Sequence, residues 1–113
     1  MTDSLEHTQL VALDCGAVLR TGAGLSESVG VGVLPTALEI TETLLRASAH
    51  REAVAEIGRY GCWLTVRVAA NMAADEWRRK AVRVHSRLRG FDGQMRVEPA
   101  HGGSRITVSL LVT

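Results

Sequence analysis

The feature that most constrains the fold is one apolar stripe at helical spacing, flanked by segments that alternate with period two. The stripe recurs at spacings of four, three, four and three, as one face of an α-helix requires, and comprises Trp77, Ala81, Val84, Leu88 and Phe91. The segments 62–70, 94–98 and 105–112 alternate apolar with polar or small side chains, which is typical of strands with one buried face. Because such elements bury their apolar faces against one another, we expect a sheet covered by helices.

Length and composition indicate one small domain. The chain has 113 residues, 46% of them hydrophobic and 22% charged, as is typical of a folded domain. Aromatic residues make up only 4%, so aliphatic side chains must fill most of the core. No apolar run approaches the roughly 20 residues of a membrane span, and the first residues lack the order of a secretion signal. We therefore expect a cytoplasmic protein.

The first third of the chain predicts its elements less clearly. Residues 1–8 are typical of a loose tail, and 9–20 fit either a short helix or a strand, with helix favoured. Residues 28–34 alternate valine with small residues, as strands do. We expect a domain boundary here, with a tail and a short helix or strand in 1–27 and the main domain in 28–113.

A helix is predicted from Pro35 onward. Thr36 can cap the free backbone N–H groups, and Glu39 three residues later completes a capping box. The apolar stripe that follows carries the helix to Ala49 or His50.

The second half predicts two strand pairs around the striped helix. Gly61 suggests a hairpin between 52–60, whose own pattern is ambiguous, and the strand 62–70. The striped helix ends at Gly90, and the turn 99–103 joins the last two strands. The predicted fold class is therefore α+β, a two-layer sandwich in which helices pack on one face of a mixed, mostly antiparallel sheet.

The cysteines and histidines point away from metal chemistry and disulfides. Cys15 and Cys62 are too few for a disulfide framework, and we expect both to be reduced, buried and inert. The four histidines are scattered singly along the chain, so we expect no metal site.

Several segments resemble the ATP-binding domain of sensor histidine kinases, the Bergerat fold shared with gyrase and certain chaperones. The segment 34–50 resembles that family's first conserved helix, and 60–68 resembles the hairpin that precedes its aspartate box. The segments 88–99 and 102–106 resemble the closing helix, strand, turn and strand, and the likeness covers about 28–113. The resemblance implies a nucleotide site that includes Glu42 and the turn Gly102-Gly103-Ser104.

The departures from the family concern the groups that hold ATP. Where the family has an asparagine that binds Mg²⁺, this chain has Arg46, which cannot ligate a cation. The segment 68–74 lacks the acid and glycines of the family's Asp-x-Gly-x-Gly turn, and 72–76 is too short for a phosphate lid. The remnant of the nucleotide site that the resemblance implies comprises Glu42, Arg46, His50, Gly102, Gly103 and Ser104. We therefore expect a non-catalytic chain that takes no cofactor.

A basic helix face is the strongest feature that the resemblance leaves unexplained. It comprises Arg78, Arg79, Lys80, Arg83 and Arg87, with Arg89 beyond. Residues 1–60 carry a net charge of −4 and 61–113 a net charge of +5, although the whole chain carries +1. A solvated helix face explains such a run, and a docking surface for an acidic partner explains it equally well. Nucleic acid fits less well, because the total charge is near neutral.

The function expected from these features is that of a regulatory or adaptor protein in bacterial signalling or transcription control. Its partner would be a protein such as a response regulator, a kinase or a sigma factor, and a homodimer is compatible with the valine-rich edge segment. The alternatives are a divergent ATP-binding domain of a split sensor kinase or anti-sigma-type kinase, and a basic nucleic-acid binder. If Trp63 faces outward from its strand, it would mark an interface.

Overall fold

The computed structural model describes residues 3–22, 25 and 33–112, and residues 3 and 4 are described by their backbone alone. Helices α1 and α2 span Asp3–Asp14 and Val33–Ala47. Helices α3 and α4 span Ala74–Lys80 and Val82–Arg87, and a short 3₁₀ helix follows. The strands are β1 (Val18–Thr21), β2 (Val54–Tyr60), β3 (Trp63–Ala70), β4 (Gln94–Ala100) and β5 (Gly103–Leu111).

The strands form one five-stranded sheet in the order β1-β2-β3-β5-β4. β1 runs parallel to β2, and the other three pairings are antiparallel. In the central pair Val66 lies opposite Val108, and Val68 opposite Ile106. The predicted α+β sandwich with a mixed, mostly antiparallel sheet is confirmed.

The core lies between one face of the sheet and the helices. The strands contribute Leu64, Val66, Val68, Ile106, Val108 and Leu110, all fully buried. From α2, Ile40 and Leu44 pack on this face, and Trp77 and Val84 do so from α3 and α4. Burying such a side chain stabilises the fold by about 1.5–3 kcal/mol relative to leaving it exposed. The alternation in β3 and β5 therefore decides which face of the sheet the helices cover.

The N-terminal expectations need correction. The loose tail predicted for 1–8 is wrong from Asp3 onward, because α1 runs from Asp3 to Asp14. Helix was right for 9–14, but Val18–Thr21 forms β1. The pattern of α1 is weak because Leu10 and Leu13 are exposed, while Thr8 is fully buried against α2. The boundary predicted at residue 28 lies outside the described residues and stays a prediction.

Helix α2 begins earlier and ends earlier than predicted. It starts at Val33, so Pro35 lies in its first turn, where the missing N–H group costs nothing. Thr36 is therefore inside the helix, and the capping box predicted with Glu39 is wrong. The strand predicted for 28–34 is wrong at 33 and 34, which are helical, and otherwise lies outside the described residues.

The striped helix is divided at Ala81, whose φ of −95° and ψ of 12° leave the helical region. α3 ends before this residue, α4 begins after it, and Leu88–Phe91 form the 3₁₀ helix. Four members of the predicted stripe are buried, since Trp77, Ala81, Val84 and Leu88 are at most 4% exposed, and the fifth, Phe91, is partly buried.

The two cysteines differ in exposure. Cys15 is buried as predicted, whereas Cys62 is exposed at the turn between β2 and β3. The prediction of a buried Cys62 was wrong because the strand begins one residue later, at Trp63. Among the described helices, none is both long and apolar enough to cross a membrane.

Candidate functional site

Glu42 lies on α2, and its carboxylate is held by α1. Thr8 Oγ1 donates a hydrogen bond to Glu42 Oε2 at 2.7 Å, and His7 Nδ1 lies 3.1 Å from the same oxygen. The other oxygen, Oε1, lies 3.8 Å from the Arg46 guanidinium. The side chain is only 14% exposed. Both carboxylate oxygens thus have partners within the chain, and Glu42 joins α1 to α2.

Arg46 and His50 complete the set predicted along this helix. The Arg46 side chain is 60% exposed and reaches back one turn towards Glu42. His50 lies beyond the end of α2 with a φ of 60°, and its backbone N–H donates to the carbonyl of Cys15 at 2.8 Å. A Cβ on Gly16 would lie 3.3 Å from His50 Nδ1. His50 therefore packs beside the turn between α1 and β1.

The Gly102-Gly103-Ser104 turn packs against the end of β3. Ser104 is buried, and its hydroxyl donates to the carbonyl of Met72 at 2.5 Å. A Cβ on Gly103 would lie 2.1 Å from the carbonyl oxygen of Ala70, so only glycine fits there. These contacts give the turn a structural role. Among the described residues, no hydrogen bond or ion pair joins this turn to Glu42 or Arg46.

Helix α3 is joined to the end of α2 by a group of polar contacts, the Glu76 cluster, formed by Ala47, Arg51, Asn71, Glu76 and Lys80. Lys80 Nζ donates to the carbonyl of Ala47 and lies 3.0 Å from Glu76. Arg51 makes two contacts with Glu76, each at 3.3 Å, and donates from Nε to the carbonyl of Asn71 at 3.0 Å. The connection from β3 to α3 is only 71–73. The cluster thus joins the end of α2 to the segment 72–76, which stands where the resemblance predicts a phosphate lid.

The electrostatics of the cluster favour the ionised carboxylate. The hydrogen bond from Lys80 lowers the pKa of Glu76, burial opposes that shift, and Arg51 adds to it. Because the side chains of Lys80 and Arg51 both contact this carboxylate, Glu76 is the centre of the cluster. No sequence motif indicates this pair, since Arg51 and Glu76 are 25 residues apart and belong to different segments.

The basic helix face is less uniform than its sequence indicates. Arg78 pairs with Asp75 at 2.8 Å, Lys80 belongs to the Glu76 cluster, and Arg87 pairs with Glu39 on α2. Arg79 and Arg83 are exposed and form no ion pair with any described residue. The free positive charge of this face therefore centres on these two side chains. In the described part of the chain, no three of the His, Cys, Asp and Glu side chains are grouped so as to hold a metal ion.

No protein-family model matches the chain, and no curated protein matches its sequence. Solved structures do match its fold. The blue-light activated histidine kinase of Erythrobacter litoralis superposes with a TM-score of 0.68 at 12% identity, over 95% of this chain and 40% of that one. The histidine kinase domain of the same protein superposes with a TM-score of 0.70 at 12% identity, over 96% of this chain and 59% of that one.

The catalytic domain of the histidine kinase ThkA gives a TM-score of 0.67 at 7% identity, over 98% of this chain and 91% of that one. The chain thus spans about two fifths and three fifths of the two Erythrobacter structures and nearly the whole ThkA domain. At such low identity the likeness concerns the fold and not the activity. This chain has the histidine-kinase-type ATPase fold.

Proposed function

We propose that this chain is a non-catalytic regulatory or adaptor protein that uses a histidine-kinase ATPase fold for protein–protein interaction in bacterial signalling or transcription control. The observation that carries this proposal is the Glu76 cluster. Contacts from Lys80 to Ala47 and from Arg51 to Glu76 span the ends of α2 and α3. A triphosphate held between α2 and the 72–76 segment, which replaces the family's phosphate lid, would require breaking these contacts.

The α2 side chains support the same function. ATP needs a metal ion and several N–H donors to offset its charge. Arg46 stands where the resemblance predicts a metal ligand, and a guanidinium has no lone pair to offer. Glu42 already has partners on both oxygens.

Titration calorimetry with Mg-ATP tests the loss of nucleotide binding. We expect no saturable heat corresponding to a dissociation constant tighter than about 1 mM. The matched variant Arg46→Asn restores the side chain type of the family, and we expect it to remain without binding, because the Glu76 cluster is intact. Saturable binding by the natural chain would contradict the proposal.

The basic helix face is the interaction surface that we assign to this function, with Arg79 and Arg83 as its free charges. A partner with an acidic surface, such as a response regulator, a kinase or a sigma factor, has the complementary charge. In a pull-down from the source bacterium, Arg79→Glu with Arg83→Glu should remove the bound partner. Arg20→Glu, an exposed arginine of β1, is the matched control and should retain it.

A second candidate is a divergent ATP-binding domain that acts with another subunit, as in a split sensor kinase or an anti-sigma-type kinase. It is favoured by the nature of the matching structures, which are a histidine kinase and the catalytic domain of another. The calorimetric experiment separates the two candidates, because only the second requires a nucleotide.

A further inference from the structure

The face of the sheet opposite the helices carries a shallow groove of about 240 Å³ that crosses β3, β5 and β4. Two adjacent rows of the strand register line its floor. The first row is Arg67, Thr107 and Arg96, and the second is Thr65, Ser109 and Gln94. These six side chains come from three strands, and each can donate a hydrogen bond.

Positive charge on this groove is in excess. Arg67 stands over the ring of Tyr60, 5.3 Å from its centroid, and forms no ion pair with a described carboxylate. Arg96 reaches Glu98 only at 4.0 Å, and Glu98 is already bound by Arg105 at 2.7 Å. No acid is among the side chains that line the groove, although Glu56 lies opposite Arg67 on β2, just outside the lining. Among the described residues, Arg67 therefore has no ion-pair partner, and Arg96 has only the 4.0 Å contact with a carboxylate that Arg105 already binds.

Thr107 lies between the two arginines in the register. Thr107 is 9% exposed, and its buried hydroxyl oxygen, Oγ1, has no hydrogen-bond partner among the described residues. A buried hydroxyl without a partner costs about 1–3 kcal/mol. A carboxylate that drew Arg67 and Arg96 together over Thr107 would give this hydroxyl an acceptor.

Aromatic side chains form one end of the groove. Trp63 is half-buried and Tyr60 is 53% exposed, and the register places them opposite each other on β3 and β2. Tryptophan, tyrosine and arginine are the residues that most often contribute strongly to protein interfaces. An apolar side chain next to a carboxylate would complement this end.

We propose that the groove binds an extended acidic segment of a protein partner, with one carboxylate between Arg67 and Arg96 and an apolar side chain against Trp63. A nucleic acid is disfavoured because carboxylates flank the groove. Glu56 lies opposite Arg67 and Glu98 lies opposite Arg105, so a continuous phosphate backbone that extends past the groove would meet them. This surface is separate from the basic helix face, and its role does not depend on whether the chain binds nucleotide.

The test uses a fluorescein-labelled peptide of alternating glutamate and leucine in fluorescence anisotropy at low salt. We expect saturable binding that weakens with added salt. Arg67→Ala and Arg96→Ala should each weaken it about tenfold, since each removes one charge-assisted hydrogen bond. Arg20→Ala, on the outer strand of the sheet, and Arg79→Ala, on α3, are the matched controls and should change it less than twofold.

A second measurement does not depend on the variants. In ¹H–¹⁵N spectra of the natural chain, the peptide should shift the amide signals of Thr65, Thr107 and Ser109 before those of α3. Absence of peptide binding, equal weakening by Arg20→Ala, or shifts confined to the helices would overturn the proposal. So would tighter binding of a single-stranded DNA probe, or a dimer that excludes the peptide and that Arg67→Ala dissolves.

Discussion

Lys80 Nζ donates a hydrogen bond at 3.0 Å to the carbonyl oxygen of Ala47, in the last residue of α2. The same ammonium group lies 3.0 Å from Glu76, one turn back along α3. One cation thus binds the free carbonyl end of one helix and a carboxylate of the next. Since the carbonyl end of a helix carries partial negative charge, this is a favourable place for a lysine.

Glu76 should make stability depend on pH. Its pKa lies below its ordinary value of 4.5, because of the Lys80 hydrogen bond first and Arg51 next. Glu76 therefore takes up a proton at higher pH in the unfolded chain than in the folded one. The stabilisation from its contacts with Lys80 and Arg51 is present above the ordinary pKa of 4.5 and is lost as the pH falls below it. Urea unfolding at about pH 6 and about pH 3.5 should show a smaller pH-dependent loss in Glu76→Gln than in the natural chain. Glu6→Gln, an exposed acid of α1, should behave as the natural chain does.

Thr8 should contribute to stability through its hydrogen bond to Glu42. Thr8→Val keeps the buried shape but removes the donor, and we expect a loss of about 1.5–3 kcal/mol in the free energy of unfolding, as for hydrogen bonds to charged groups. Thr43→Val is the control, because Thr43 bonds only within its own helix, to the carbonyl of Glu39. Equal losses in the two variants would show that Glu42 does not join the helices.

Gly103 should be irreplaceable on steric grounds. A Cβ there would come 2.1 Å from the carbonyl oxygen of Ala70, so the β4–β5 turn must move away from the end of β3. We expect Gly103→Ala to lower the free energy of unfolding by about 1–3 kcal/mol. A Cβ on Gly90 would meet nothing within 4 Å, so Gly90→Ala should be neutral within about 0.5 kcal/mol. A fully stable Gly103→Ala chain would contradict this packing.

The two thiols should react at different rates. Cys62 is exposed and Cys15 buried, so a thiol reagent such as dithionitrobenzoate should modify one equivalent rapidly and the second only when the chain unfolds. Cys62→Ser should abolish the fast phase, and Cys15→Ser should leave it unchanged. Simultaneous reaction of both thiols would contradict the burial of Cys15.

Periodicity in the sequence determined the core of this protein. Alternation in 62–70 and 103–112 predicted which side chains face the helices, and the stripe from Trp77 to Leu88 predicted the helical cover. Such patterns are reliable because each records the burial of one face of one element. They predicted the layers and, with the motifs, the family resemblance of the fold.

Only the tertiary structure decided where polar side chains meet. Glu42 matched a motif on α2, yet its partner is Thr8 on a helix that the sequence predicted as a loose tail. Arg67, Thr107 and Arg96 are brought into one row by strand pairing, although 40 residues separate the first from the second. Their meeting depends on register and helix packing, which a one-dimensional pattern does not contain, because hydrogen bonds and ion pairs require distances that only the folded chain sets.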